Sequence, residues 1–235
     1  ALRHVGGLVR RVRADEAPAA SDKAASDNTT SDKAAVDRSA EPSVSPSQAA
    51  QARPMLALVS PLPPLRSGVA DYCARLIPGL SDHYTVEVIA DQEQTSDPWV
   101  ADHCVLRTHD WFDEHAGRYD RIVYHIGNSL FHERMLELLP RHPGTVVLHD
   151  LALSDLLEHL ERCGGRTDAF RRALLRSHGW PALIDASLRG PAAAVRAWPA
   201  SGQIFEAADG VILTSAFAAQ WAASLYEKTD AIAVI

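Results

Sequence analysis

From Met55 onward, short apolar runs alternate with stretches whose apolar residues recur at helical spacing, as they do in βαβ units wound around a parallel sheet. Met55-Leu56-Ala57-Leu58-Val59 reads as a buried strand, and a loop over residues 60–67 with three prolines follows it. Val69, Tyr72, Cys73, Leu76, Ile77 and Leu80 then share one face of a predicted helix, which Pro78 is expected to shorten or bend. Residues 84–90 and 121–126 supply two further strands, and Gly127-Asn128-Ser129 is placed to cap a helix over 130–139. Thr145-Val146-Val147-Leu148 is the clearest strand, followed by a helix over 151–163 that Gly164-Gly165 closes. Residues 167–208 read as wholly helical, with breaks at Pro181, Pro191 and Pro199. A strand over 210–213, a helix over 216–226 and a last strand over 231–235 complete the pattern. The expected fold is α/β: a Rossmann-like parallel sheet flanked by helices, with one helical insertion.

Residues 1–53 have a different texture. They contain no Phe, Tyr or Trp, are rich in Ala, Ser, Asp and Pro, and nearly repeat themselves at Ser21-Asp22-Lys23-Ala24-Ala25 and Ser31-Asp32-Lys33-Ala34-Ala35. Such a segment buries too little apolar surface to offset the entropy of ordering, so a disordered or weakly helical linker is expected. Residues 2–13 are more apolar and basic, as the last helix of a preceding domain would be. The chain opens on Ala1 and closes inside a β-branched run, so it reads as an excerpt of a longer polypeptide.

Charge narrows the function classes. Residues 1–53 carry 8 basic and 7 acidic groups, and residues 54–235 carry 15 and 23, a net of -8. That balance argues against nucleic acid as a partner, which calls for Lys and Arg gathered on one face. Cys73, Cys104 and Cys163 are odd in number and far apart, which fits reduced thiols in a cytosolic protein. No Cys-x-x-Cys pair exists to hold structural zinc, and no apolar run approaches the roughly 20 residues a bilayer requires.

Ligands of open parallel sheets bind outside the carboxyl ends of the strands, and three loops here carry chemistry suited to that place. In the first, Gly68 stands at a helix start, where free N–H groups and the helix dipole favour an anion or a sugar hydroxyl, and Ser67 can cap the same turn. It is neither the dinucleotide fingerprint nor a Walker loop, so hydride transfer and nucleotide hydrolysis lose their main support. The second loop is His125-Ile126-Gly127-Asn128-Ser129, with His132 one turn further on. Asn128 can turn a donor and an acceptor toward sugar hydroxyls or serve, like Ser129, as an N-cap, and the residues leave both readings open. The third is Leu148-His149-Asp150, where a histidine at a strand tip can bond substrate and the carboxylate can cap the next helix or orient a ring. A second pair, His109-Asp110, falls in a loop and shows how cheaply the dipeptide arises. The remaining histidines form no convincing ligand set for a metal-dependent phosphohydrolase, and the tryptophans read as packing residues.

The segment Ser60-Pro61-Leu62-Pro63-Pro64-Leu65-Arg66-Ser67-Gly68-Val69-Ala70-Asp71-Tyr72, then Tyr124-His125-Ile126-Gly127-Asn128-Ser129, then Val147-Leu148-His149-Asp150, resembles in order and spacing the N-terminal half of the family-four retaining glycosyltransferases. The nearest flavour is the mannosyltransferase-like enzymes of bacterial surface polysaccharides. The resemblance covers about residues 55–235 and implies the N-terminal, acceptor-side Rossmann-like domain of a GT-B fold, spanning 54–235. It implies that Ser67 and Gly68 lie beside the donor diphosphate and the acceptor. It further implies that His149 contacts the donor sugar, with Asp150 next to it, and that Gly127 and Asn128 line the acceptor side. Many members have two glycines in the first loop, where this chain has Ser67 before a single Gly68.

The implied partners are a nucleotide-sugar donor, held mainly by a C-terminal domain absent from these residues, and a glycan or lipid-linked acceptor. No cofactor and no metal are implied. The implied location is cytoplasmic, extending to peripheral association at the inner membrane surface. Two other functions remain open on the sequence: a non-catalytic carbohydrate-binding or assembly module of a larger polypeptide, and half of a sugar-nucleotide epimerase. The basic pair and glutamate pair that hold the donor in this family lie in the second domain, so the chain alone is expected to have little or no activity.

Overall fold

The structure is a computed structural model that describes residues 53–226 and 231–235. Except for Arg53, the linker expected over 1–53, with its basic segment 2–13, lies outside the described residues. The strands are β1 (Met55–Val59), β2 (Thr85–Ile89), β3 (Val105–Arg107), β4 (Arg121–Ile126), β5 (Thr145–Leu148), β6 (Gly210–Leu213) and β7 (Ile232–Val234). They form one seven-stranded sheet in the order β3-β2-β1-β4-β5-β6-β7. Every pairing is parallel, so the fold is α/β and Rossmann-like.

The apolar runs are continuous because the inner strands are covered on both faces. Period-two alternation divides β1 between two cores: Leu56 and Leu58 join Ala74, Ile77 and Val100 on one face. Ala57 and Val59 join Phe112, Tyr124, Met135 and Leu138 on the other. The first face is roofed by α1 (Gly68–Ser81) and α2 (Pro98–His103), which supply those alanine, isoleucine and valine side chains. The second is covered from α3 (His109–His115) and α4 (Glu133–Leu138), and further along by α5 (Ser154–Arg162), α6 (Ala169–Arg189), α7 (Pro191–Ala197) and α8 (Gly202–Ala207). The helix α9 (Ala216–Leu225) links the last two strands.

Several expected boundaries shift. The first helix runs through Pro78 to Ser81 instead of stopping short. Proline costs that helix one bond, to the carbonyl of Ala74, while Cys73, Ala74 and Ile77 remain buried. In the insertion the break falls at Gly179, with φ 72° and ψ -165°, and not at Pro181. Glycine reaches that conformation readily, and Pro181 then occupies the first turn of the second segment, where its missing N–H costs nothing. The helix expected over 130–139 divides into a 3-10 turn (Leu130–His132) and α4. That over 151–163 starts at Ser154, with the Leu153 N–H before it donating to Pro199 O at 2.8 Å.

Between Ala90 and Arg121 the chain forms α2, β3 and α3, so His109 opens a helix rather than lying in a loop. Thr108 caps that helix, its side chain accepting from the Trp111 N–H at 3.1 Å. Glu87, in the middle of β2, is buried and receives Arg107, Arg118 and the Tyr119 hydroxyl at 3.2, 3.2 and 2.8 Å. Those charge-assisted bonds make a carboxylate tolerable inside the sheet.

A close approach at the start of β5 gives a direct test of the sheet. A Cβ on Gly144 would lie 2.6 Å from the carbonyl oxygen and 2.9 Å from the Cβ of Ile122 on β4. Gly144→Ala is expected to lower stability by about 1–3 kcal/mol in urea unfolding. Gly117→Ala, where a Cβ meets nothing within 4 Å, is expected to stay within about 0.5 kcal/mol of the parent.

Candidate functional site

The strand order reverses at β1 and β4, the place where an open sheet of this topology forms a crevice beyond its strand ends. An open cleft of about 420 Å³ lies there. Arg66, Ser67, Gly68 and Val69 after β1 form one wall, Gly127, Asn128, Ser129, Phe131 and His132 after β4 form another, and His149 and Asp150 after β5 close it. Ser67, Gly68, Gly127, Asn128, His149 and Asp150, six residues singled out in the sequence, therefore share one cavity.

The first wall is the amino end of α1. Ser67 stands at the N-cap with extended backbone (φ -139°, ψ 132°), yet its hydroxyl makes no cap bond. The first-turn N–H groups, which have no partner within the helix, are left facing the cleft with that hydroxyl. A Cβ on Gly68 would meet nothing within 4 Å, so packing does not require glycine there. Its missing side chain is open room. Arg66 is exposed at the rim, and no ion pair to it occurs among the described residues.

The second and third loops are braced against each other. The Asn128 N–H donates to Asp150 Oδ2 at 3.0 Å. The Asn128 amide donates to Asp155 at 2.9 Å, and its Oδ1 accepts the Leu156 N–H at 2.9 Å. Asn128 is thus a capping residue for α5, reached across the cleft floor, and does not cap the segment that follows it. Each end of its amide retains capacity for one further bond. Asp150, for its part, ties down the second loop. Gly127 has a packing reason: a Cβ would sit 3.2 Å from Asp150 Oδ2 and 3.2 Å from His132 Cε1.

Three histidines, His132 and His149 on the cleft wall and His125 behind them, are neutral at ordinary pH. His125 is fully buried on β4, and burial drives its pKa down to about 3, with His149 and His132 adding smaller effects in the same direction. Burial likewise pushes His132 down to about 4 and lowers His149. His125 Nδ1 lies 3.0 Å from His149 Nε2, while His125 Nε2 is buried without a partner. A single proton joins the two rings. If His149 supplied it, His125 would carry a buried, unpaired N–H, which is the costlier orphan. We therefore assign the shared proton to His125 Nδ1, which leaves His149 with its proton on Nδ1, available to the cleft. The Tyr72 ring meets His149 edge-on at 5.1 Å and His125 at 5.8 Å, packing the pair from the α1 side. His132 Nδ1 lies 3.0 Å from the Ser129 hydroxyl and 3.2 Å from the Ser129 carbonyl, and its Nε2 is buried without a partner.

Sequence reasoning placed the cleft residues but missed this support. His125 read as a strand residue, Tyr72 as part of a helix face, and Asp155 drew no attention. The only available signal was the position of His125 two residues before Gly127. Among the described residues, no three His, Cys, Asp or Glu side chains converge as metal ligands, and no helix is long and apolar enough to cross a membrane. No protein-family model and no curated protein matches this chain, so the functional reading rests on the site itself.

Two expectations follow. As pH falls below about 6.5, the unfolded chain gains protons that buried His125 and His132 refuse until about pH 3 and 4. Stability is therefore complete above pH 6.5 and declines below it, by up to about 1.4 kcal/mol per pH unit for each ring. Urea midpoints between pH 7.5 and 5 should show this slope, and His125→Asn should reduce it. Nitrogen-15 NMR of the histidine rings should find His149 protonated at Nδ1 and His125 at Nδ1. An Nε2 proton on His149 would reverse the assignment.

Proposed function

We propose that residues 54–235 form the acceptor-side half of a GT-B glycosyltransferase, which moves a sugar from a nucleotide donor to a glycan or lipid-linked acceptor with retention. The observation that carries this reading is the convergence of the loops after β1, β4 and β5 on one cleft at the switch point. The same three loops bear the resemblance to family-four enzymes, in the same order.

In this reading the amino end of α1, with Ser67, Gly68 and Arg66, holds the anionic diphosphate as it departs, since helix N-termini and guanidinium groups favour negative charge. His149 donates from Nδ1 to a hydroxyl of the transferred sugar, and His125 keeps that proton in place. The neutral ring suits a hydroxyl partner and adds no charge to the cleft. Gly127 keeps the floor low enough for the acceptor. Asn128 and Asp150 hold the two loops at fixed separation, a positioning role whose value is the geometry of the reacting groups. The donor-side domain that the resemblance calls for is not among these 235 residues, and the reaction takes place on the cytoplasmic side, where nucleotide sugars are made.

The test is to produce the chain with its native downstream sequence and assay sugar transfer and donor hydrolysis over a panel of nucleotide sugars. Transfer is expected for at least one donor, with His149→Ala lowering kcat/KM by about 100-fold while leaving the fold intact. Neither transfer nor donor hydrolysis with any donor would defeat the proposal.

A further inference from the structure

The wall of the cleft that follows β4 carries a side chain to which neither packing nor the roles described above give a task. Phe131 lines the cleft and is 42% exposed. A phenylalanine exposed on a convex surface is ordinary, since much of any protein surface is apolar. Phe131 differs because it stands in a concavity whose other lining residues, Val69 excepted, are polar, charged or glycine. It belongs to neither core, and no aromatic ring packs against it among the described residues. Its outward position follows from its neighbour. The His132 N–H donates to the Ser129 carbonyl at 3.0 Å, closing the 3-10 turn, and the His132 ring is buried with Nδ1 3.0 Å from the Ser129 hydroxyl. Side chains one residue apart in such a turn point roughly 120° from each other, so burying His132 sends Phe131 away from the core.

Polar groups with unspent capacity line the same cleft. After capping α5, Asn128 keeps one amide hydrogen and one Oδ1 lone pair. Asp150 is exposed and spends Oδ2 on the Asn128 N–H, while no hydrogen bond to its Oδ1 occurs among the described residues. The charge is divided between the walls. Arg66 and the uncapped amino end of α1 favour an anion on one side, and the Asp150 carboxylate disfavours one on the other.

We propose that Phe131 is the stacking platform for the accepting sugar, an uncharged pyranose whose apolar face lies on the ring while its edge hydroxyls donate to Asp150 Oδ1 and accept from the Asn128 amide. This rests on the sugar-transfer reading of the cleft and adds to it a residue and a substrate class. A pyranose has a face of C–H groups and a rim of hydroxyls. The face of an aromatic ring is the negative part of its quadrupole and attracts polarised C–H groups, while the amide and carboxylate beside it satisfy the rim. A lipid tail fits poorly, because it would cover Asn128 and Asp150 without offering them a hydrogen bond. A uronic acid or a phosphorylated sugar fits poorly for another reason, since its charge would face Asp150.

The test is an amide NMR titration of the labelled 235-residue chain with the methyl glycosides of mannose, glucose and galactose, with methyl glucuronide, and with uridine and guanosine. At least one neutral glycoside is expected to bind and to shift the amides of residues 127–132, with the glucuronide weaker. Phe131→Ala is expected to lower the affinity at least about tenfold, and Phe131→Trp to keep it within about threefold. Phe131 is partly exposed, so the fold is expected to survive, which an unchanged amide spectrum away from the cleft checks. No binding by any neutral glycoside, unchanged affinity in Phe131→Ala, or tighter binding of the glucuronide or of a nucleoside overturns the proposal. No nucleotide sugar enters the titration, so the two readings fail separately. Binding here without transfer in the donor assay would remove the transfer reading and leave a sugar-binding platform, whereas transfer with an unchanged acceptor KM in Phe131→Ala would remove the platform alone.

Discussion

The register of β4 between β1 and β5 is the constraint on which the site depends. Val59 lies opposite Tyr124, and Ile126 opposite Leu148, so the loops leave their strands at neighbouring levels. A slip of one residue would turn His125 to the opposite face and break its bond to His149, because side-chain direction in a strand repeats every two residues. The His149 N–H extends the ladder one step beyond the strand, donating to Ile126 O at 2.8 Å. His149 at the strand tip is thus held by backbone pairing that continues past the sheet.

Around that register the cleft divides its work between rigid and open parts. The loops after β4 and β5 are stitched by Asn128, Asp150 and Asp155, and the neutral imidazoles behind them are oriented by one shared proton. The loop after β1 is secured from its far side, where Gln92 both donates to and accepts from the Leu62 backbone at 2.9 and 2.8 Å. Its near side keeps the uncapped amino end of α1 free. The division leaves unspent backbone donors on one wall and pre-oriented, uncharged imidazoles on the other, a pairing that would suit the anion and the sugar hydroxyls of the proposed function.

Buried His125 and His132, with half-buried His149, make the arrangement conditional on pH. Burial disfavours each charged ring, and the Asp150 carboxylate offsets only part of that effect at His132 and His149. The same burial that lowers stability in acid keeps a fixed donor pattern in the cleft at neutral pH. Fold stability and site geometry therefore draw on one set of residues.

The pattern of apolar positions determined the strands, their parallel α/β class and the three loops that would bear chemistry, because strands buried on both faces leave continuous runs that need no partner to be read. The insertion was also visible as a long helical stretch. Only the tertiary structure decided that Asn128 caps a helix 26 residues further on, that Gly179 and not Pro181 breaks the insertion, and that β3 exists between α2 and α3. The edge strand is three residues long and half-buried, too short for a period to emerge. The His125–His149 pair was equally hidden. Two residues 24 apart meet only once a particular register aligns their strands, and no local pattern encodes a long-range distance.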